Sequence, residues 1–211
     1  MRAAVLLLLC AACKGEAEPA APDAGPPARS IGVPELGVHL MLPMGWVEDP
    51  VESSPTSSHE NAPSVITREV RTVAQARRVA QSRPFLVAPR IAITVEPTAR
   101  RIPQEVFDQT LSDLKKLDSA ENVGLTRTAM SSRFVGRDQV GDIELAYFVR
   151  SGAKPREVIM RSLIVLRSPP EGSRAIVTIN ATYLAEDAEL VSSEVQAIMN
   201  SLRLEGAMSV E

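Results

Sequence analysis

Few residues of this 211-residue chain combine a type and a spacing that could do chemistry. Ser112 with Lys115, and Ser151 with Lys154, both fit S-x-x-K, a spacing in which lysine activates serine. The companion S-D-N and K-T-G motifs of that chemistry are absent. His39 and His59 are the two histidines. His59 opens His59-Glu60-Asn61-Ala62-Pro63, where a zinc-binding helix would need a second histidine in place of Pro63, and proline breaks the helix. His39 lies in an alternating stretch and reads as a surface or edge residue of a strand. Asp138, Asp142 and Glu144 gather around a turn without the ligand spacing of a calcium loop, and read as a solvated hairpin. There is no G-x-S-x-G, no phosphate-binding loop and no G-x-G-x-x-G, so neither metal nor cofactor is expected.

The residues with the clearest assignment are the cysteines. Both, Cys10 and Cys13, fall within the first thirteen positions. Met1-Arg2 supplies a positive start, and 3–9 is a short apolar run. At about 1.5 Å per residue it falls well short of a bilayer core, so it reads as a signal-peptide core, not a span. Ala11-Ala12 then precedes Cys13. The stretch resembles the bacterial lipobox, in which the chain is cut before a cysteine that carries a diacylglycerol thioether; Cys10 stands where leucine is usual. The resemblance implies a lipoprotein signal over 1–12 and lipid attachment at Cys13. An ordinary secretory signal cut near Ala12 is the alternative. Two or three acyl chains hold a protein stably where one holds it only marginally. Lys14 follows the cysteine, and the aspartate that often retains lipoproteins at the inner membrane is absent, which favours the outer membrane facing the periplasm. Beyond Cys13 there is no cysteine, which excludes an intrachain disulfide, a cysteine nucleophile and a thiolate metal site from the folded part.

Charge is distributed less evenly than its formal total of −3. That total gives no reason to expect nucleic-acid binding. Residues 68–101 nevertheless collect eight arginines against Glu69 and Glu96. Arginine is rarely buried unpaired, and its fork suits carboxylates and phosphates. Arg77-Arg78, in the segment hardest to assign, are therefore the candidate binding surface for an acidic partner or anionic headgroups. The alternative is that these charges pair internally with the acidic segment before them.

Elements must position these groups. Residues 13–30 are the cysteine plus Ala, Pro, Gly and charge, which bury nothing and form a flexible linker. Residues 31–205 form one domain, and 206–211 a frayed tail. Hydrophobic content is 45% but aromatic content only 3%, so aliphatic residues build the core. Residues 36–42 alternate as a strand, stopped at Pro43-Met44-Gly45, after which Trp46 folds back over the core. Residues 51–63 form a loop and 64–70 a strand. In 73–81, Val73, Ala76 and Ala80 keep helical spacing, which predicts a short helix or loop excursion. Residues 90–95 form a strand. A helix over 103–117 begins at Pro103 and carries a stripe of Val106, Phe107, Thr110, Leu111, Leu114 and Leu117. Strands over 123–131, 143–150, 157–167 and 174–183 are separated by turn-rich breaks, which predicts an antiparallel meander. Several are apolar on both faces, as in a sheet covered on both sides. A second helix over 186–201 buries Val191, Val195, Ile198, Met199 and Leu202.

The early strand into Leu42-Pro43-Met44-Gly45-Trp46, the mid-chain helix after a strand, the run of antiparallel strands and the closing Ile198-Met199-Asn200-Ser201-Leu202 resemble the PsbP-like family. That family includes the eukaryotic Mog proteins and the bacterial DcrB lipoproteins. The resemblance spans about 33–204. It implies an α+β domain: an α/β/α sandwich whose mainly antiparallel, twisted sheet is covered by helices on both faces. It also implies a non-enzymatic module that binds or scaffolds an envelope protein partner, held to the membrane by acyl chains on Cys13. An envelope hydrolase with an unidentified serine nucleophile is the alternative.

Overall fold

The computed structural model describes residues 29–51, 70–79, 85–100, 102–118, 124–151, 154–168 and 174–206. Cys13, the signal and linker up to residue 28, His59, the expected strand over 64–70 except Val70, and the tail beyond residue 206 lie outside the described residues, and Val70 itself is in no strand.

Among the described residues, ten strands and two α-helices make an α+β domain dominated by antiparallel sheet. Strands β1 (Arg29–Val33), β2 (Val38–Leu42) and β10 (Arg203–Leu204) form a small sheet in the order β1-β2-β10. Strand β1 takes in Arg29 and Ser30, which composition groups with the linker. Strands β3 (Trp46–Asp49), β4 (Arg71–Arg78), β5 (Arg90–Pro97), β6 (Gly124–Val135), β7 (Asp138–Ser151), β8 (Lys154–Arg167) and β9 (Ala175–Leu184) form a seven-stranded sheet in the order β3-β4-β5-β9-β8-β7-β6. The expected meander is β6 to β9, and β5 closes onto β9 with Ile93 opposite Ile179. Helices α1 (Pro103–Asp118) and α2 (Ala188–Asn200) complete the domain.

Alternation along the strands sorts the core into two clusters. Leu163, Val165, Val177 and Ile179 are buried with Val195, Ile198 and Met199 of α2 and with Val38, Leu40 and Leu42 of the small sheet. The neighbouring Ile164, Leu166 and Ile176 are buried with Val106, Phe107 and Leu114 of α1. The Phe107 ring lies so close to Gly141 that a Cβ there would sit 2.9 Å from it. Trp46 is 2% exposed in the first cluster, which agrees with the expectation that it folds over the core.

Two expectations are corrected. Residues 71–78 are strand β4, not a helix or loop excursion, and β4 pairs β3 on one side and β5 on the other. The helical spacing misled because the inward residues are Ala74 and Ala76, small enough to be read as helix formers, and because a register shift between Thr72 and Ala74 breaks the alternation. Leu111 is 37% exposed and stands at the margin of the α1 stripe, outside the buried cluster.

Candidate functional site

Arg77 and Arg78, one residue apart on β4, point to opposite faces of the sheet, so they do not act as one fork. Arg78 stands opposite Trp46 and sends its guanidinium to α2: Nε donates to Glu194 Oε2 at 2.7 Å and Nη2 to Glu194 Oε1 at 2.9 Å. The Trp46 indole N–H donates to the same Glu194 Oε2 at 2.8 Å. Three charge-assisted bonds thus tie β3, β4 and α2 at one carboxylate. The Arg78 side chain is only 11% exposed and also donates to the carbonyls of Val79 and Gly45. Gly45 has φ +89°, and a Cβ there would fall on the Arg78 guanidinium, so both the turn and the packing require glycine. Arg77 differs. Its side chain is 49% exposed, it pairs with Asp49 at 2.8 Å, and its register partner on β5 is the exposed Arg90.

The three carboxylates considered as a calcium cluster are separated in use. Asp138 is buried in an ion pair with Arg167 at 3.0 Å and is not a solvated turn residue. Asp142 pairs with Arg161 at 3.2 Å, which also bonds Gln196. No group of three potential metal ligands occurs among the described residues. Arg167, 3% exposed, donates to the carbonyls of Leu36 at 2.8 Å, Gly206 at 3.2 Å and Glu205, so one cation holds the start of β2, the β6–β7 turn and the chain after β10. Nothing in the sequence marked Arg167 or Glu194: each is one charge among many, given meaning only by a partner far along the chain.

The serine and histidine positions fall apart in the same way. Ser112 is exposed on α1. Ser151 and Lys154 are register partners at the β7–β8 turn. His39 is on the central strand of the small sheet, 3.8 Å from Glu205. Ser201 serves structure: its hydroxyl accepts the Met41 N–H at 2.8 Å and donates to the Ile198 carbonyl at 2.7 Å, joining β2 to the end of α2. Open hollows occur among the described residues. One of about 420 Å³ is lined by Pro155, Glu157 and the Arg156–Glu186 ion pair. Another, of about 340 Å³, runs beside α2 between Glu144, Arg161, Tyr183 and Ser193, and its arginine is already committed to Asp142 and Gln196. Burial raises the Tyr147 phenol above its ordinary pKa, so it stays protonated and uncharged through the neutral range.

An antiparallel α+β domain whose polar side chains join its elements is the class that these observations define. Neither a protein-family model nor a curated protein matches the sequence. Among solved structures, this chain is similar to LpqN, involved in cell envelope biogenesis of Mycobacterium tuberculosis, at 14% identity and a TM-score of 0.53, over 87% of this chain and 88% of that one. That likeness shows the fold. Neighbours also include the cyanobacterial PsbP (CyanoP) of Synechocystis, at 10% identity and a TM-score of 0.47, over 88% of this chain and 97% of that one. The Saccharomyces cerevisiae Ran-binding protein Mog1p follows at 10% identity and a TM-score of 0.40, over 84% and 95%. PsbP and Mog1 are also the names of the family that the sequence resembles.

Proposed function

We propose that the chain is an extracytoplasmic lipoprotein, anchored through Cys13, whose domain is a non-enzymatic module that binds or scaffolds a protein partner of the cell envelope. The observation that carries this reading is the use made of the buried and half-buried polar groups. Arg167 with Asp138, Arg78 with Glu194, Arg161 with Asp142, and Ser201 each fasten one element to another. That is the chemistry of a rigid platform, not of a poised nucleophile, which needs an adjacent base. The alternation that puts α1 and α2 in separate clusters supports an α/β/α sandwich with helices on both faces. The likeness to a protein involved in envelope biogenesis favours the same compartment, and the residue after Cys13 favours the outer membrane. Arg77 is the exposed member of the arginine pair and belongs to the binding surface, while Arg78 braces the strand beneath it.

Two measurements test this. Crosslinking in intact cells is expected to capture a discrete envelope protein, and Arg77→Ser is expected to weaken that capture while leaving thermal stability nearly unchanged. Turnover of an ester, amide or β-lactam substrate that one serine substitution abolishes would overturn the non-enzymatic reading. Separately, Cys13→Ala is expected to block fatty-acid labelling and shift the protein to the soluble fraction. A mutant that labels and fractionates like wild type would refute lipid attachment at that cysteine.

A further inference from the structure

We propose that the end of the domain where β1 begins is a membrane-docking face, seating four apolar side chains and a set of arginines on an anionic bilayer. This rests on the anchor reading above.

The register places the components together. Arg29, the first residue of β1, is opposite Leu42, the last of β2. The turn after Leu42 carries Met44, 73% exposed. The next residue, Gly45, accepts the Val79 N–H at 2.8 Å, so the end of β4 abuts that turn. Arg78 N–H in turn donates to the Pro89 carbonyl at 2.9 Å, bringing in the segment that leads to β5. That segment carries Leu86, 68% exposed, and Val87, 50% exposed, and Val79 itself is 41% exposed. Three chain segments therefore present Met44, Val79, Leu86 and Val87 at one end of the molecule. Such gathering of large apolar groups in water marks an interaction surface, whereas single exposed ones need no explanation.

The surrounding charge identifies the occupant. Arg29 and Arg90 are exposed, and Arg90 faces Arg77 directly across the β4–β5 pair. Like charges in that relation repel. Asp49 relieves Arg77, and Glu194 is taken by Arg78 and Trp46. Arg90 has no ion-pair partner among the described residues. Guanidinium groups beside apolar side chains match the boundary of a bilayer, where phosphate headgroups lie next to acyl chains. The chain supplies the remaining argument. The tether from Cys13 reaches the fold at Arg29, at this same end. Fifteen residues separate Cys13 from Arg29, a length that spans at most about 50 Å. A bilayer holding Cys13 thus meets this end at high effective concentration, and a weak patch suffices.

The test uses the acylated full-length protein in vesicles of phosphatidylethanolamine, with and without phosphatidylglycerol. Because both native cysteines lie at or before the lipid attachment point, M44C gives one free thiol for an environment-sensitive fluorophore. F134C is the control, since Phe134 is 71% exposed at the opposite end, next to the β6–β7 turn. The fluorophore at 44 is expected to shift blue and brighten on vesicles, more so with phosphatidylglycerol, while that at 134 does not. Arg29→Glu with Arg90→Glu is expected to remove the phosphatidylglycerol-dependent part without changing co-flotation. Co-flotation with no response at 44, or with equal response at 44 and 134, overturns the docking face and leaves the anchor standing. Failure of the full chain to co-float removes the anchor, and the docking face falls with it.

Discussion

Arg167→Ala is expected to lower stability by about 3–5 kcal/mol, the cost of leaving one member of a buried ion pair uncompensated. Arg167 is 3% exposed, so water does not replace what is lost. Its removal strands Asp138 and also takes the donor from the carbonyls of Leu36, Glu205 and Gly206. Chemical denaturation would show a lower midpoint. Arg167→Met combined with Asp138→Leu separates the two contributions. Removing both charges at once abolishes the stranded carboxylate, and isosteric replacement of whole buried pairs is often neutral. Here the double mutant is expected to recover only part of the loss, because three carbonyls still lack their donor. Full recovery would show that the carbonyl contacts contribute nothing, and a midpoint unchanged in the single mutant would refute the buried node.

Ile198→Ala is expected to cost about 2–5 kcal/mol, while Leu111→Ala costs under about 1 kcal/mol. Ile198 is fully buried on α2 among β-sheet and small-sheet side chains, so deleting its outer carbons leaves a cavity that three layers would have to move to fill. Leu111 is 37% exposed, so its truncation opens no enclosed space. Equal losses at both positions would mean that α1 packs more deeply than its exposure indicates.

The contrast between these two helices illustrates what could be read in advance. The stripe expected on and just after α2 is complete, and each of its five members is buried. The stripe on α1 is wider in sequence than in the structure, because the face that the sheet covers is centred on Val106, Phe107 and Leu114. The meander was legible because its strands are long, β-branched and separated by turn residues. Strand β4 was not legible, because burying alanines gives no hydrophobic alternation. Strand β10 has two residues, too few for any period. The candidate site was half legible. Arginine enrichment pointed to Arg77 and Arg78, but which of the two is structural depends on Glu194, 116 positions from Arg78. The apolar members of the docking face could not be found from pattern, since four residues on three segments share no spacing.

Strand β2 has a consequence for when this protein can fold. It sits between β1, its immediate predecessor, and β10, at the other end of the chain, while Met41 bonds Ser201 across 160 positions. Arg167 bonds the carbonyls of both Leu36 and Glu205 and so bridges the same two ends. A topology dominated by such distant pairings folds slowly, because loop-closure entropy must be met before contacts reward it. The β1–β2 hairpin alone is too small to be stable in water. The small sheet is therefore finished only when the residues of β10 are available, and β5 finds its second partner only in β9. Trimming the C-terminus back past Arg203 would then act at the front of the molecule, leaving β2 without its partner on one side.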